Sequence, residues 1–194
     1  MTLDEIVERL VLPRTTIYGW IYHLPIERTQ KQSLAQQRGS AGVKAKAALK
    51  RQLTYEAALG EAPVVLAEPK LRDFVVLYMA EGFRRSRNHV AMCNSNPQIM
   101  LLSHEMMLRF AANPLDYALQ YHADHDTQLL RSFWGELLGI HGERIRLTRK
   151  SNSNELSRRQ WRSEHGVLSI RAGDTSFRCK LQAWMDFVTQ TWHT

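Results

Sequence analysis

The run LRDFVVLYMAEG at residues 71–82 limits the possible folds more than any other part of the sequence. Written as a helix, it places apolar side chains almost all round, and a helix that is apolar on every face has to be buried on every face. A small domain covers one side of such a helix with its own sheet, so the other side needs a partner. We therefore expect a homodimer in which two copies of this helix cross. The run ends in Glu81 followed by Gly82, and a carboxylate at the end of a buried helix requires an explanation.

The composition is that of a packed protein with one ordinary domain or two small ones. The chain has 194 residues, of which 44% are hydrophobic, and this content excludes global disorder. Cys93 and Cys179 are far apart and form no CxxC pair, so they indicate neither a disulfide framework nor a zinc cluster. The sequence has no basic block followed by an apolar one at its N-terminus and no apolar run of membrane length. We expect a cytoplasmic protein without a membrane partner.

Positive charge is concentrated in two segments that flank an acidic one. Residues 1–54 carry nine Lys/Arg against four Asp/Glu, and residues 142–171 carry eight against three. The segment between them, residues 55–141, carries seven against ten. This distribution, in a chain of net charge +7, favours a polyanion bound at two places, for which nucleic acid is the first candidate. A basic surface that only keeps the protein in solution is the alternative.

Two short helices joined by a tight turn are predicted at the N-terminus. The first has an apolar face at helical spacing, made of Leu3, Ile6, Val7 and Leu10. The second begins near Pro13, a favourable first helical residue, and its apolar face consists of Ile17, Trp20, Ile21 and Leu24. Its opposite face presents polar side chains to solvent, as docking in the major groove of DNA requires.

This arrangement resembles the helix-turn-helix of bacterial regulators and recombinases, in which a recognition helix with the spacing Thr-Ile-x-x-Trp is common. The resemblance implies that the outward side chains of the second helix face DNA, namely Arg14, Thr15, Thr16 and Tyr18. Val11 stands in the turn at a position where the family often has glycine. A plain helical hairpin without a DNA role is the alternative.

Residues 28–62 are rich in Ala, Gln and Lys and contain a Gly-Ser-Ala-Gly break at 39–42. This composition predicts a basic linker followed by a helix from about 43 to 60. Its cations are suited to track DNA phosphates, and they are Lys44, Lys46, Lys50 and Arg51. Pro63 and Pro69 close the segment, and we place a domain boundary between them. The predicted divisions are a helix-turn-helix at 1–27, a basic linker and helix at 28–62 and a further domain at 63–194.

Helices and strands alternate beyond Pro69. A helix at 70–82 is followed by the strand HVAMCN, and an Asn/Ser cap with proline then begins the next helix. The strand LDYALQYH, a helix ended by Gly139, the strands RIRLTRK and GVLSIRAG, and a final helix complete the order. Helices and strands around one sheet make an α+β domain. The motif YHADHD at 121–126 contains metal-ligand residue types, but no third ligand stands at a suitable spacing, so an Asp124 or Asp126 helix cap is the preferred interpretation.

Residues 74–82, FVVLYMAEG, resemble the signature helix of the LAGLIDADG homing-endonuclease fold. The later elements are similar, in their order, to bacterial proteins that join a helix-turn-helix to one such domain. The resemblance implies a mixed α/β domain with an antiparallel sheet, and one signature copy implies a homodimer. In that family the acid ending the helix holds a divalent metal beside the scissile phosphate, which makes Glu81 the metal ligand and catalytic acid of a nuclease. Val76 and Ala80 would lie at the helix crossing, with Gly82 allowing the close approach of two backbones.

The second basic segment supplies further candidates for DNA contact. Arg144, Arg146 and Arg171 are predicted to line one surface of the sheet, which is where the resembling fold contacts the DNA backbone. The loop between the last two strands and its flanks add Arg149, Lys150, Arg158, Arg159 and Arg162. A solvated hairpin loop is the alternative interpretation.

Three functions remain open from the sequence, and one of them, a recombination accessory factor, is not distinguished by the sequence from the regulator described first. The first is a homodimeric, sequence-specific protein that binds double-stranded DNA, of the transcription-regulator kind, and needs no cofactor for binding. The same fold occurs in regulators that bind DNA without cutting it. The second is a Mg²⁺-dependent DNA endonuclease of the homing type, in which Glu81 acts from both chains.

Overall fold

The computed structural model of the chain describes residues 3–23, 30–150 and 163–192. It divides into two compact units, Met1–Lys46 and Ala47–Thr194. The first three helices are α1 (Leu3–Leu10), α2 (Arg14–Ile21) and α3 (Gln30–Val65). None of the described helices combines the length and the apolar composition that a bilayer crossing requires.

The turn between α1 and α2 is tight, as predicted, and depends on an unusual residue. Val11 has a φ of 51°, in the left-handed region that a β-branched residue adopts only with strain. Its N–H donates to the carbonyl of Val7 over 2.9 Å and ends α1. Glycine would take this conformation without strain, which explains why glycine is frequent at such a turn.

The apolar face predicted for α2 is only partly buried. Ile17 is 1% exposed, whereas Trp20 is 57% exposed and Ile21 is half-buried. The prediction that Trp20 is buried is therefore wrong for the described residues. Two helices of eight residues each have too little apolar surface between them to cover a second large side chain. Leu24, the last residue of the predicted face, lies outside the described part of the chain.

Helix α3 is continuous through residues 39–42, where a break was predicted. A glycine inside a helix costs only about 1 kcal/mol relative to alanine, and the neighbouring Ala, Gln and Lys residues are good helix formers. The C-terminal part of α3 belongs to the second unit because Ala58 and Ala62 are buried there. The boundary expected between Pro63 and Pro69 accordingly lies inside this unit.

Beyond α3, the described part of the second unit contains four further helices and four strands. They are α4 (Pro69–Glu81), β1 (Val90–Asn94), α5 (Pro97–Phe110), β2 (Leu115–Tyr121), α6 (Thr127–Leu138), β3 (Ile145–Arg149), β4 (Val167–Ala172) and α7 (Thr175–Gln190), with a 3₁₀ turn at Gly142–Arg144. The predicted caps are confirmed: the side chain of Asn96 accepts from Gln98 N–H at the start of α5. Gly139 ends α6 with a φ of 64°. The α+β class is also confirmed.

The sheet is mixed, with the strand order β1-β4-β2-β3. β4 pairs antiparallel with β1 and β2, whereas β3 pairs parallel with β2. The predicted all-antiparallel sheet is therefore wrong at one of its pairings. The reason is that α6 carries the chain from the end of β2 back to its beginning, and a helical crossover of this kind places the next strand parallel.

The sheet has one packed face and one open face. Residues that alternate along the strands are buried in the core, among them Met92, Leu119, Ile145, Leu168 and Ile170. Trp134 of α6 and Trp184 of α7 are fully buried in the same core. Successive side chains of a strand point to opposite faces, so the intervening residues form the open face.

Candidate nucleic-acid interface

The floor of the open sheet face consists of small side chains. Ser169 of β4 lies opposite Ala118 of β2 and Cys93 of β1, and Arg146 of β3 lies opposite Ala118 on the other side. These four residues form one row across all four strands. Because three of them are small, a ligand can approach the sheet closely beside the Arg146 side chain.

Arginines surround this floor, as the sequence predicted for Arg144, Arg146 and Arg171. With Asp116, Ala118 and Ser169 they line an open depression of about 630 Å³. Arg171 lies opposite Asp116 in the register of β4 and β2, and the guanidinium of Arg144 lies 5.5 Å from the ring centroid of Tyr117. Three guanidinium groups against one carboxylate give the depression a positive potential.

An aromatic pair adjoins the arginine of β4. The rings of Phe83 and His89 stack with centroids 5.4 Å apart, and a guanidinium nitrogen of Arg171 lies 3.5 Å from His89 Nδ1. Burial, together with the charges of Arg171 and Arg178, lowers the pKa of His89 below its usual 6.5. The imidazole is therefore neutral at pH 7, and the positive charge at this edge resides on Arg171.

The candidate residues of α2 are exposed, as predicted. Arg14, Thr15, Thr16 and Tyr18 all reach solvent, and Arg14 forms an ion pair with Asp4 over 3.2 Å. Both partners are more than half exposed, and an ion pair of this kind contributes about 0–1 kcal/mol. A phosphate or a base edge can therefore displace Asp4 at little cost.

Four of the remaining candidates are among the described residues. Lys44 and Lys46 are exposed on the part of α3 that belongs to the first unit. Arg149 lies on the same face of β3 as Ile145 and Leu147. Arg146 lies on the opposite face, because successive side chains of a strand alternate. Lys150 follows β3, and its N–H donates to the carbonyl of Tyr121. Arg158, Arg159 and Arg162 lie outside the described residues.

Glu81 is exposed at the C-terminal end of α4. No group of three His, Cys, Asp or Glu side chains that could hold a metal occurs in the parts of the chain that the structure describes. One exposed carboxylate is an incomplete ligand set for Mg²⁺. A metal site at Glu81 therefore depends on a second acid, supplied by pairing of two chains.

The residues of α4 that were predicted to lie at the helix crossing are outside the core of the second unit. Leu71, Phe74 and Tyr78 are fully buried, whereas Val76 is 40% exposed and Ala80 is exposed. The described chain thus covers one side of this helix only. This exposed side carries Arg72, Asp73, Val76 and, near the C-terminal end of the helix, the small residue Ala80, where two helices can cross closely.

Gly82 has a role within the chain that the sequence did not predict. It forms a β-bridge with Met92, and its N–H donates to the carbonyl of Tyr78 over 2.9 Å. A Cβ at this position would lie 2.5 Å from both this carbonyl oxygen and Cδ2 of the Tyr78 ring. Contacts within one chain therefore require glycine at this position, whether or not a partner chain is present.

The motif YHADHD is a helix start. The side chain of Asp126 accepts from Gln128 N–H over 2.8 Å and from Leu129 N–H over 3.1 Å, which is the cap geometry of α6. The sequence predicted a helix cap at Asp124 or Asp126, and the structure confirms the cap at Asp126.

A second group of arginines was missed by the sequence reasoning. Arg84, Arg85 and Arg87 follow Glu81-Gly82 directly in the sequence, and Arg178 of α7 lies beside them in the fold. The run RRSR was a visible signal, but Arg178 is about ninety residues away and has no local pattern that connects it to this run.

Comparison of the chain with models of known families, with curated proteins and with solved structures finds no match.

Proposed function

We propose that this chain is a homodimeric, sequence-specific protein that binds double-stranded DNA, of the transcription-regulator kind. The observation that carries the proposal is the open sheet face, where Arg144, Arg146 and Arg171 surround a floor of small side chains. Guanidinium groups bind phosphate in bidentate geometry, and a floor without large side chains lets a DNA backbone approach them. Binding of this kind needs no cofactor. A cytoplasmic location is part of the proposal.

The first unit would supply the sequence-reading contacts. Its helix α2 exposes Arg14, Thr15, Thr16 and Tyr18 on one short segment, and such side chains hydrogen-bond to base edges in the major groove. The sheet face of the second unit would then contribute phosphate contacts, which position the protein without reading sequence.

A homodimer is supported by the uncovered side of α4. Val76 and Ala80 are exposed on a helix whose other side is fully buried. Pairing of this side with its equivalent in a second chain would bury it and give the assembly two copies of the sheet face and two copies of α2.

The test is selection of bound duplexes from a random pool, followed by affinity measurements over a range of salt concentrations. Affinity should fall steeply as salt rises, because phosphate contacts release counterions. Arg146→Ala should weaken all duplexes alike and reduce the salt slope by about one, whereas Arg14→Ala should relax the selected sequence. Lys70→Ala, which removes an exposed charge from the first turn of α4 away from Val76 and Ala80, is the matched control. Salt-independent binding, or none to any duplex, would refute the proposal.

A Mg²⁺-dependent DNA endonuclease is the second candidate, and the position of Glu81 favours it. This exposed acid follows Ala80 directly, so pairing of α4 across a two-fold axis would bring two carboxylates near each other. Cleavage of supercoiled plasmid with and without Mg²⁺ separates the two functions. Plasmid cutting that disappears in Glu81→Gln while duplex binding is retained would establish the enzyme.

A further inference from the structure

Five arginines line one cleft of the second unit. They come from α3 (Arg51), from the segment after α4 (Arg84, Arg85 and Arg87) and from α7 (Arg178), and they enclose a volume of about 610 Å³. We call this the arginine cleft. No Asp or Glu is among the described residues that line it. None of its five arginines belongs to the sheet face or to α2.

Arg178 is the buried centre of the arginine cleft. It is 7% exposed, and its guanidinium donates to the carbonyls of Ser86 over 3.1 Å and of Arg84 over 3.3 Å. A third N–H donates to Gln182 Oε1 over 3.1 Å. A guanidinium has five N–H donors, so these three contacts leave two for a ligand.

The charge of Arg178 has no direct counter-charge within the described residues. Among the described residues, the second unit has the ion pairs Lys70–Glu105, Arg109–Glu68, Arg131–Glu143 and Lys180–Glu61. None of these pairs includes an arginine of the cleft. Asp186 is reached only through Gln182, whose amide donates to it over 2.9 Å. A buried charge is costly unless an opposite charge accompanies it, and no carboxylate of the described residues fills that position.

The cleft is also prearranged. Arg178 holds the backbone between Arg84 and Ser86, and Arg51 donates to the side chain of Asn88 over 2.8 Å. These contacts fix the segment that carries the exposed Arg84, Arg85 and Arg87. A binding site whose backbone is fixed in advance loses less conformational entropy when the ligand arrives.

We propose that the arginine cleft binds an anion that carries more than one phosphate group. Arginine is the side chain best matched to phosphate oxygens, and five of them around about 610 Å³ exceed what a single phosphate can neutralise. The phosphates come either from a diffusible oligophosphate or from a nucleic-acid backbone. Only Arg51 among these residues was a sequence candidate for contact with DNA phosphates, and none of the five belongs to α2 or to the open sheet face, so the inference goes beyond the proposed function.

The experiment is calorimetric titration of the full chain with inorganic tripolyphosphate. The double variant Arg85→Ala/Arg87→Ala removes two exposed side chains that hold no described contact of the fold. It should bind about tenfold more weakly, since two exposed charge contacts at about 0.7 kcal/mol each amount to one decade. Lys70→Ala/Lys180→Ala removes the same charge from two surface ion pairs elsewhere in the second unit and should bind as the unaltered protein does. Circular dichroism checks that both variants fold, and single Arg85→Gln and Arg87→Gln variants replace the double variant if it does not.

The source of the phosphates is decided by repeating the titration in the presence of saturating duplex DNA. Displacement of tripolyphosphate by DNA identifies the nucleic-acid backbone as the ligand, and undiminished binding identifies a diffusible oligophosphate. Either result supports the inference. It is overturned if the unaltered protein does not bind tripolyphosphate, if it binds poly-glutamate equally well, or if the two double variants lose equal affinity. Duplex binding is measured separately on the same samples, so failure of the proposed function is distinguishable from failure of this inference.

Discussion

Replacing Gly82 by alanine should destabilise the second unit, even in a monomer. The added Cβ would lie 2.5 Å from Cδ2 of Tyr78 and 2.5 Å from the Tyr78 carbonyl oxygen, whereas ordinary contacts begin at 3.4 Å. The Tyr78 ring cannot move away easily, because it is fully buried, packs against Phe74 and donates its hydroxyl to the carbonyl of Phe83 over 2.8 Å.

The size of the effect follows from these contacts. Overpacking in a well-packed core costs about 1–3 kcal/mol, and strain on the hydrogen bond from Gly82 N–H to the Tyr78 carbonyl adds about 1 kcal/mol. The lower entropy of an unfolded chain with alanine offsets about 0.4–1 kcal/mol. We therefore expect a net loss of about 1–3.5 kcal/mol, which lowers the melting temperature by about 2–14 °C for a chain of this size.

Urea and thermal unfolding, followed by the fluorescence of the buried Trp134 and Trp184, measure this loss. Gly60→Ala is the matched control, because a Cβ at that position of α3 meets nothing within 4 Å. It should raise stability by about 1 kcal/mol through helix propensity. If Gly82→Ala unfolds with the same midpoint as the unaltered protein, the contact with Tyr78 does not explain the glycine. A loss that appears only at dimer-forming concentrations would instead place its role at the helix crossing.

Three further predictions concern other parts of the chain. Val11→Gly relieves left-handed strain of about 1–2 kcal/mol, and the larger conformational entropy of glycine in the unfolded chain offsets part of this gain. Amide exchange in α1 should therefore slow about two- to fivefold, and faster exchange would contradict the prediction. Burial lowers the pKa of His104 below 6.5, so the unfolded chain takes up the proton first and stability falls below that pH. His104→Gln should reduce this fall in urea midpoints measured against pH, and an unchanged pH profile would argue against it. Ala80→Arg should leave the fold intact, split the dimer in sedimentation and lower DNA affinity; a variant that stays dimeric would refute the crossing.

Local signals in the sequence were sufficient for most elements of the second unit. Asn96 before a proline and Asp126 before an amphipathic run predicted helix starts, and both side chains form the expected cap bonds. Gly139 predicted the end of α6 and adopts the left-handed conformation. These predictions succeed because a cap or a turn depends on contacts within four residues, all of which the sequence shows together.

Predictions that needed distant contacts were less successful. The parallel pairing of β2 and β3 depends on how α6 returns across the sheet, which the strand sequences do not record. The exposure of Trp20 depends on how much apolar surface its neighbours offer, and helical spacing alone gives no measure of that. The continuity of α3 through two glycines depends on the sum of many small propensities, which a Gly-Ser-Ala-Gly signal obscures.

The Glu81-Gly82 pair illustrates the same limit at the candidate site. The sequence analysis predicted both residues at a dimer interface. The structure shows that glycine is already required at position 82 because of its contact with Tyr78 of the same chain. A glycine in this position therefore carries no information about pairing, and the case for a crossing has to come from Val76 and Ala80, which the core leaves uncovered. The metal role of Glu81 depends in turn on that crossing, because this carboxylate has no companion ligands among the described residues. Dimerisation must consequently be measured before cleavage is interpreted.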